Sequence, residues 1–201
     1  MRSKKLLAAA VLAIAASGAQ AANLVTNGSF EADAQGNGTW NIYPTLTGWT
    51  GLPNIELRNN VAGVAQDGVN FVELDGNFNS AMSQSITGNG LYELSFWYSA
   101  REGIPAGSNG LDFSFGSLTG NVLYGVAGAA SGHIWQHYTG LVTLSGPTTL
   151  TFSAAQISDS LGGSLDNISV TAVPEPETYA MLLAGLGLMG TIARRRKNIK
   201  A

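Results

Sequence analysis

The segment Leu91-Tyr92-Glu93-Leu94-Ser95-Phe96-Trp97-Tyr98-Ser99 decides the fold class of this chain. Its apolar residues alternate with polar ones, a period of two that is typical of a β-strand with one buried and one solvated face. The same alternation recurs in segments 111–115, 142–144, 149–153 and 167–171, and shorter candidates are segments 55–58, 71–75 and 82–86. Clusters of Gly, Asn and Ser such as 88–90 separate these segments and predict turns. About eight to ten short strands in one region predict an all-β protein, an antiparallel β-sandwich.

Charge is distributed unevenly along the 201 residues. Between Ala22 and Val173 there are eleven acids, no lysine, and only two bases, Arg58 and Arg101, which gives a net charge of −9. A surface of this sign repels phosphate backbones, so we expect no nucleic-acid partner. The chain has no cysteine, which excludes a disulfide framework and a thiolate zinc site.

The N-terminal segment has the order of features found in secretory signal peptides. A basic start is followed by an apolar run from Leu6 to Ala16 and by Ala19 and Ala21 at an A-x-A spacing. We therefore predict a signal peptide over residues 1–21 with cleavage after Ala21, and export of the rest of the chain. The alternative is a buried N-terminal helix.

The C-terminal segment begins with Pro174, Glu175 and Pro176, which mark a linker. An apolar run from Tyr179 to Ala193 and an arginine cluster come next. Fifteen helical residues span about 22 Å, less than the roughly 30 Å of a membrane's hydrocarbon core. We therefore predict that a helix over about 178–193 forms a marginal membrane anchor. The basic end is expected on the cytoplasmic side.

This order of Pro-Glu-Pro, short apolar helix and basic end resembles the PEP-CTERM sorting signal of exported bacterial proteins. The resemblance implies a sorting tail over residues 174–201, transient anchoring in the inner membrane, and processing by an exosortase, a membrane protease. It further implies a cell-surface or extracellular location, and association with exopolysaccharide and biofilm matrix. The remaining residues, 22–173, are expected to form the β-sandwich domain.

A second resemblance involves the two ends of that domain. The opening segment Asn23–Glu31 with Gly48-Trp49, and the closing segment Gly163–Val170, resemble galactose-binding-like jelly-roll modules and DUF642-like proteins. The resemblance implies a jelly roll that binds sugar or cell-wall polymers and that often holds a structural calcium ion. In these modules the positions of Glu31 and Asp166 help to hold the calcium.

Asp166 has an independent reason to need a partner. It has the same strand parity as Ile168 and Val170, which predicts that it points inward, and a buried carboxylate must be satisfied. Calcium, which takes six to eight oxygen ligands, is one solution. The alternative is a carboxylate that accepts hydrogen bonds from backbone amides.

Trp97 is the main candidate for ligand binding. It lies on the polar face of its strand with Glu93, and a large ring among small polar residues predicts a stacking platform for a sugar. The alternative is that a loop covers this face. Further candidates are Trp40, Tyr43, Arg58 and Arg101, and the two arginines have surface ion pairs as their alternative role.

These features favour a non-catalytic module that binds carbohydrate. One alternative is a structural surface or biofilm protein with no discrete ligand site. Another is a glycan hydrolase that uses Glu73 and Asp75, which share one strand face. His133 and His137 lie about 13 Å apart on a strand, too far for one zinc ion.

Overall fold

The computed structural model describes residues 22–174, 184–187 and 189–190. These residues contain eight antiparallel strands, and the predicted all-β fold is confirmed. The strands are β1 (Thr39–Leu46), β2 (Trp49–Asn59), β3 (Asn70–Glu73), β4 (Ala81–Ser99), β5 (Leu111–Phe115), β6 (Leu118–Val122), β7 (Gln136–Ala154) and β8 (Ser164–Ala172). Their order in the sheet is β1-β2-β3-β8-β4-β7-β5-β6, with a further pairing between β2 and β4.

The long strands β4 and β7 pair along almost their whole length and belong to both layers of the sandwich. One half of this pair is flanked by β2 and β5, and the other half is flanked by β8. The ring of Phe96 lies 5.0 Å from that of Phe152. Phe152 of β7 pairs with Met82 of β4, and Met82 lies 14 residues before Phe96 on that strand. In a flat sheet the rings of Phe96 and Phe152 would therefore lie about 46 Å apart. The pair is therefore folded over, and its two halves face each other.

The fold line lies where glycines permit a sharp bend. Gly88 pairs with Gly146, and both Gly90 and Gly146 have positive φ, at 111° and 130°. We call residues 88–91 and 144–146 the crest of the sandwich. The prediction of a turn between strands at 88–90 is wrong, because both strands continue through the bend.

The core lies between the two layers. Leu94 and Phe96 of β4 are fully buried, and the ring of Phe96 packs against those of Phe113 and Phe152 in the opposite layer. Trp49 is also buried, and its ring packs against that of Phe152. Polar residues of the same strands therefore lie on the outer faces.

A β-bulge changes the direction of Asp166. The register of β4 and β8 shifts between Ser95 and Trp97, and Asn167 has a φ of 46°. Leu165 and Ile168 are both in the core although their strand parity differs. Asp166 is fully buried, but on the outer face of the sheet, so the expectation that it points inward with Ile168 is wrong.

Some predicted features lie outside the described residues. These are the signal peptide 1–21 with Ala19 and Ala21, the motif residues Glu175 and Pro176, and most of the apolar run 178–193. Residues 184–187 and 189–190 are helical. Within the described ranges no helix has the length and hydropathy needed to cross a membrane. The predicted boundaries at 22–173 and 174–201 remain predictions.

Candidate functional site

A single row of side chains crosses the outer face of one layer. The strand registers align it from β1 through β2, β3, β8 and β4 to β7. Its members are Trp40, Arg58, Phe71, Asp166, Trp97 and His137. The middle of the row is buried, whereas Trp40 at one end and His137 at the other are exposed.

Two loops cover the middle of this row. The carbonyl oxygen of Val64, in the loop 60–69, accepts hydrogen bonds from His133 Nδ1 at 2.9 Å and from Trp135 Nε1 at 3.0 Å. Both rings pack edge-on against Phe71, with centroids 4.8 Å and 6.1 Å away. We call the loops 60–69 and 123–135 the loop cap. The two loops and the sheet therefore enclose a second, smaller core on the outer face of this layer.

The loop cap holds His133 in one neutral form. Because the carbonyl of Val64 can only accept, Nδ1 of His133 carries the proton, and Nε2 accepts from the hydroxyl of Ser164 at 2.9 Å. Burial lowers the pKa of His133 against the opposing effect of the Val64 hydrogen bond, and the nearby positive charges of Arg58 and Arg101 lower it further. His133 therefore has a structural role in joining the cap to β8.

Beside the loop cap lies a buried ion-pair cluster of Glu56, Arg58, Glu73 and Arg101. Arg58 contacts Glu56 through Nε at 2.5 Å and Glu73 through Nη2 at 3.0 Å. Arg101 Nη1 lies 3.2 Å from Glu73 Oε1 and also donates to the carbonyl of Ser160. Arg58 does not reach the surface and Arg101 is mostly buried, so the structure does not present either arginine to a ligand as the sequence suggested.

The two carboxylates of the hydrolase alternative are both fully buried. Glu73 lies in the ion-pair cluster and accepts from the amide of Gly162. Burial raises the pKa of the Glu73 carboxyl, and the two arginines oppose this rise. Asp75 accepts from the amides of Asp159 and Ser160 and so ties the loop 155–163 to the body. Both side chains therefore support loops and neither opens to solvent.

The uncovered end of the row holds a stacked aromatic pair. The indole of Trp97 and the imidazole of His137 have centroids 4.6 Å apart and an interplanar angle of 21°. His137 Nε2 lies 2.7 Å from the hydroxyl of Ser95, which is two residues from Trp97 on the same face. Trp97 is half-buried and His137 is exposed. We call Ser95, Trp97 and His137 the Trp97 platform.

The other predicted ligand residues lie apart from this platform. Glu93 is on the same face of β4 but about 13 Å along the strand from Trp97. Trp40 is exposed on the edge strand β1, four strand spacings or about 19 Å away. Tyr43 has the opposite strand parity, packs against the core, and donates to Gln35 Oε1, so it is not on this face.

Glu31 and Asp166 are brought to the same loop. Glu31 Oε1 accepts from the amides of Val69 and Asn70, and Asp166 Oδ2 accepts from those of Gln66 and Asp67. This is the alternative considered for Asp166, a buried carboxylate satisfied by backbone amides. Burial raises the pKa of Asp166 to about 7, against the opposing effect of these hydrogen bonds.

The surroundings of Glu31 are better suited to a cation than those of Asp166. The side-chain oxygens of Asn59 and Asn70 are buried without a hydrogen-bond donor, and these residues are partners across β2 and β3. Glu31 and Asn70 also line a surface depression of about 380 Å³. Carboxylate and amide oxygens suit calcium. In the part of the chain that the structure describes, no group of three or more His, Asp or Glu side chains is arranged to hold a metal.

The role of His137 beside Trp97 has no counterpart among the residues predicted from the sequence. The sequence spacing of His133 and His137 bears on whether they could share a metal ion, but it does not indicate that His137 stacks on Trp97 of another strand. The pairing of Trp97 with His137 depends on the register of β4 and β7, and these two residues are 40 positions apart in the sequence. A single sequence carries no local signal for such a register.

Residues 172–197 match the family model of the PEP-CTERM protein-sorting motif. No curated protein sequence matches the chain.

Solved structures that resemble it include a family 35 carbohydrate-binding module from Paenibacillus barcinonensis, which is 22% identical, with 68% of this chain and 100% of that chain covered and a TM-score of 0.43. A family 61 module in complex with β-1,4-galactotriose is 17% identical, with 76% and 99% covered and a TM-score of 0.41. An arabinose-bound α-L-arabinofuranosidase is 11% identical, with 78% and 27% covered and a TM-score of 0.49. At these identities the likeness concerns the fold alone.

Proposed function

We propose that this protein is an exported, non-catalytic module that binds carbohydrate, in particular extracellular polysaccharide, through the Trp97 platform. The observation that carries the proposal is the stacked pair of Trp97 and His137 on an outer sheet face. An aromatic ring offers an apolar surface to the C–H face of a sugar, and adjacent polar groups exchange hydrogen bonds with its hydroxyls. Ser95 and His137 supply those groups beside the ring.

The non-catalytic part of the proposal is supported by the buried state of Glu73 and Asp75. A pair of carboxylates that hydrolyses a glycosidic bond must flank the bond and act on it directly. Glu73 is instead engaged by two arginines, and Asp75 is engaged by the amides of a loop. These contacts favour stability over catalysis.

Export and sorting are supported by the two ends of the sequence. The sorting motif at residues 172–197 begins at the end of the last strand, and residues 1–21 have the pattern of a signal peptide. In this proposal an exosortase-type protease processes the precursor near Pro174-Glu175-Pro176 while the apolar tail is in the inner membrane. The product reaches the cell surface or the matrix.

A structural calcium ion is a further part of the proposal. It would be held near Glu31, with the buried side-chain oxygens of Asn59 and Asn70 as additional ligands. There it would fix the N-terminal loop, because Asn70 already donates to the carbonyls of Phe30 and Asp33. The role of the ion would be to stabilise the fold.

The experiment for binding is a titration of the mature protein with neutral and acidic polysaccharides, including the exopolysaccharide of the bacterium that produces it. Saturable binding to at least one polymer is expected, and no reducing sugar should be released. The absence of binding to every polymer would favour a structural protein without a ligand site. Release of reducing sugar by the wild-type protein would instead indicate a hydrolase.

A further inference from the structure

Both ends of the folded body leave it at the crest. The amide of Leu24 donates to the carbonyl of Val170, and the amide of Val173 donates to the carbonyl of Leu91. The side chain of Asn23 also bonds to β8, where its Oδ1 accepts from the amide of Val170. The last strand is therefore held in the sheet up to the sorting motif, and no free linker separates the two.

The sequence limits how far the crest can lie from the membrane. Only residues 174–178 separate Val173 from the apolar run that starts at Tyr179. Five residues span at most about 18 Å when fully extended. Since β8 is pinned by Val173 and Leu91, the body cannot extend this tether without losing sheet hydrogen bonds.

The crest also carries exposed apolar side chains. Leu91 is 40% exposed and Leu141 is 56% exposed. Both side chains lie on the outer face of the sheet, and Leu141 pairs with the residue two positions after Leu91 on β4, so both are close to the end of β8. The loop cap lies at the other end of β8, because Ile134 bonds to Ser99, the partner of Ser164. The eight steps from Ser164 to Ala172 separate the two ends by about 26 Å.

From this geometry we propose that the crest, with Leu91 and the neighbouring Leu141, is the surface that faces the lipid bilayer while the tail is anchored, so that the loop cap points away from the membrane. The inference rests on the proposed membrane anchoring of residues 178–193. Partly exposed leucines at the tethered end favour contact with the interfacial region of a lipid surface. The Trp97 platform then lies on the side of the sandwich, where a polymer outside the cell can reach it.

The absence of cysteine in the chain makes a direct test possible. Leu91→Cys and Ile134→Cys variants of the full-length chain are labelled with a thiol-reactive fluorophore and reconstituted into phosphatidylcholine vesicles that carry nitroxide lipids. Ile134 is the matched control, because it is an exposed aliphatic residue (66%) at the opposite end. We expect most of the fluorescence to be lost at position 91 and little at position 134. Leu141→Cys provides a second position near the crest if the first variant does not fold.

Equal quenching at the two ends of an anchored protein would overturn the orientation but leave sugar binding and anchoring intact. Failure of the full-length chain to associate with vesicles would refute the anchor, and the orientation with it. Release of the body by proteolysis within residues 174–178 should restore the fluorescence at position 91. Quenching that persists after release would also contradict the proposal, because the tether would then not be its cause.

Discussion

The indole of Trp97 stacks on the imidazole of His137, its register partner across β4 and β7, with ring centroids 4.6 Å apart. One face of the indole is thus covered by a protein ring whose Nε2 is fixed by Ser95. A sugar can contact only the opposite face or the edge of the indole. The pair therefore orients Trp97 on an otherwise polar sheet surface.

Replacement of the stacking partner should weaken ligand binding without unfolding the protein. His137→Ala removes the ring that orients Trp97, and we expect a loss of about 1 kcal/mol in binding, or roughly fivefold in Kd. Thr143→Ala, a truncation at another exposed position of β7, should leave Kd unchanged. Isothermal titration of both variants checks this, and equal affinities would show that the imidazole does not position Trp97.

The ion-pair cluster should be essential for stability. Glu73→Gln leaves Arg58 and Arg101 without their shared partner, and breaking a buried pair in this way costs about 3–5 kcal/mol. Glu93→Gln, which neutralises a surface carboxylate on β4, should change the free energy of unfolding by less than about 0.5 kcal/mol. Urea denaturation measures both values. A small effect for Glu73→Gln would mean that the arginines find other partners.

Acid should destabilise the loop cap through His133. Because burial lowers the pKa of His133, the unfolded chain takes up its proton at higher pH than the folded chain does. Stability contributed by the neutral ring is present above its unfolded pKa of about 6.5 and is lost as the pH falls through and below that value. Asp166, whose pKa burial raises to about 7, has the opposite effect in this range, but wild type and variant share it. Relative to the wild type, His133→Gln should therefore gain in Tm as the pH falls from 7 to 5, and Thr143→Ala, at an exposed position, should not. Differential scanning fluorimetry measures Tm across this pH range. If both variants had the same pH dependence of Tm as the wild type, this role of His133 would be wrong.

Removal of divalent cations should lower the thermal stability of the body if calcium is bound near Glu31. A chelator is expected to lower Tm by several degrees, and added calcium should restore it. Glu31→Gln, which keeps an acceptor for the amides of Val69 and Asn70, should abolish this response. A Tm that chelator leaves unchanged in the wild type would argue that the buried oxygens of Asn59 and Asn70 are satisfied by water.

Strands with strict alternation can be predicted from the sequence because one face of each is buried. The predicted segment Leu111–Phe115 has the bounds of β5, and the alternation places Trp97 on the correct face of β4. The edge strands β1 and β6 are missed. β1 contains Pro44 and is exposed over most of its length, and β6 has few apolar residues, so neither shows a clear period.

The features that could not be predicted depend on contacts between distant residues. The burial of Arg58 depends on its contact with Glu73 of the neighbouring strand β3, which the residues around Arg58 in the sequence do not indicate. The direction of Asp166 depends on a bulge at Asn167. The glycines at 88–90 indicate a turn and a bent strand equally well, because both use the same backbone freedom.

Sugar binding at the Trp97 platform is tested most directly by the affinity of Trp97→Ala for a polysaccharide that the wild-type protein binds, with Trp40→Ala as the matched control. Trp40 is an exposed tryptophan on the same face, about 19 Å away on β1. We expect Trp97→Ala to lose binding by about tenfold at unchanged Tm, since stacking on one aromatic ring contributes on the order of 1–2 kcal/mol. Trp40→Ala should retain it. Full binding by Trp97→Ala, or a loss confined to Trp40→Ala, would contradict the Trp97 platform as the site.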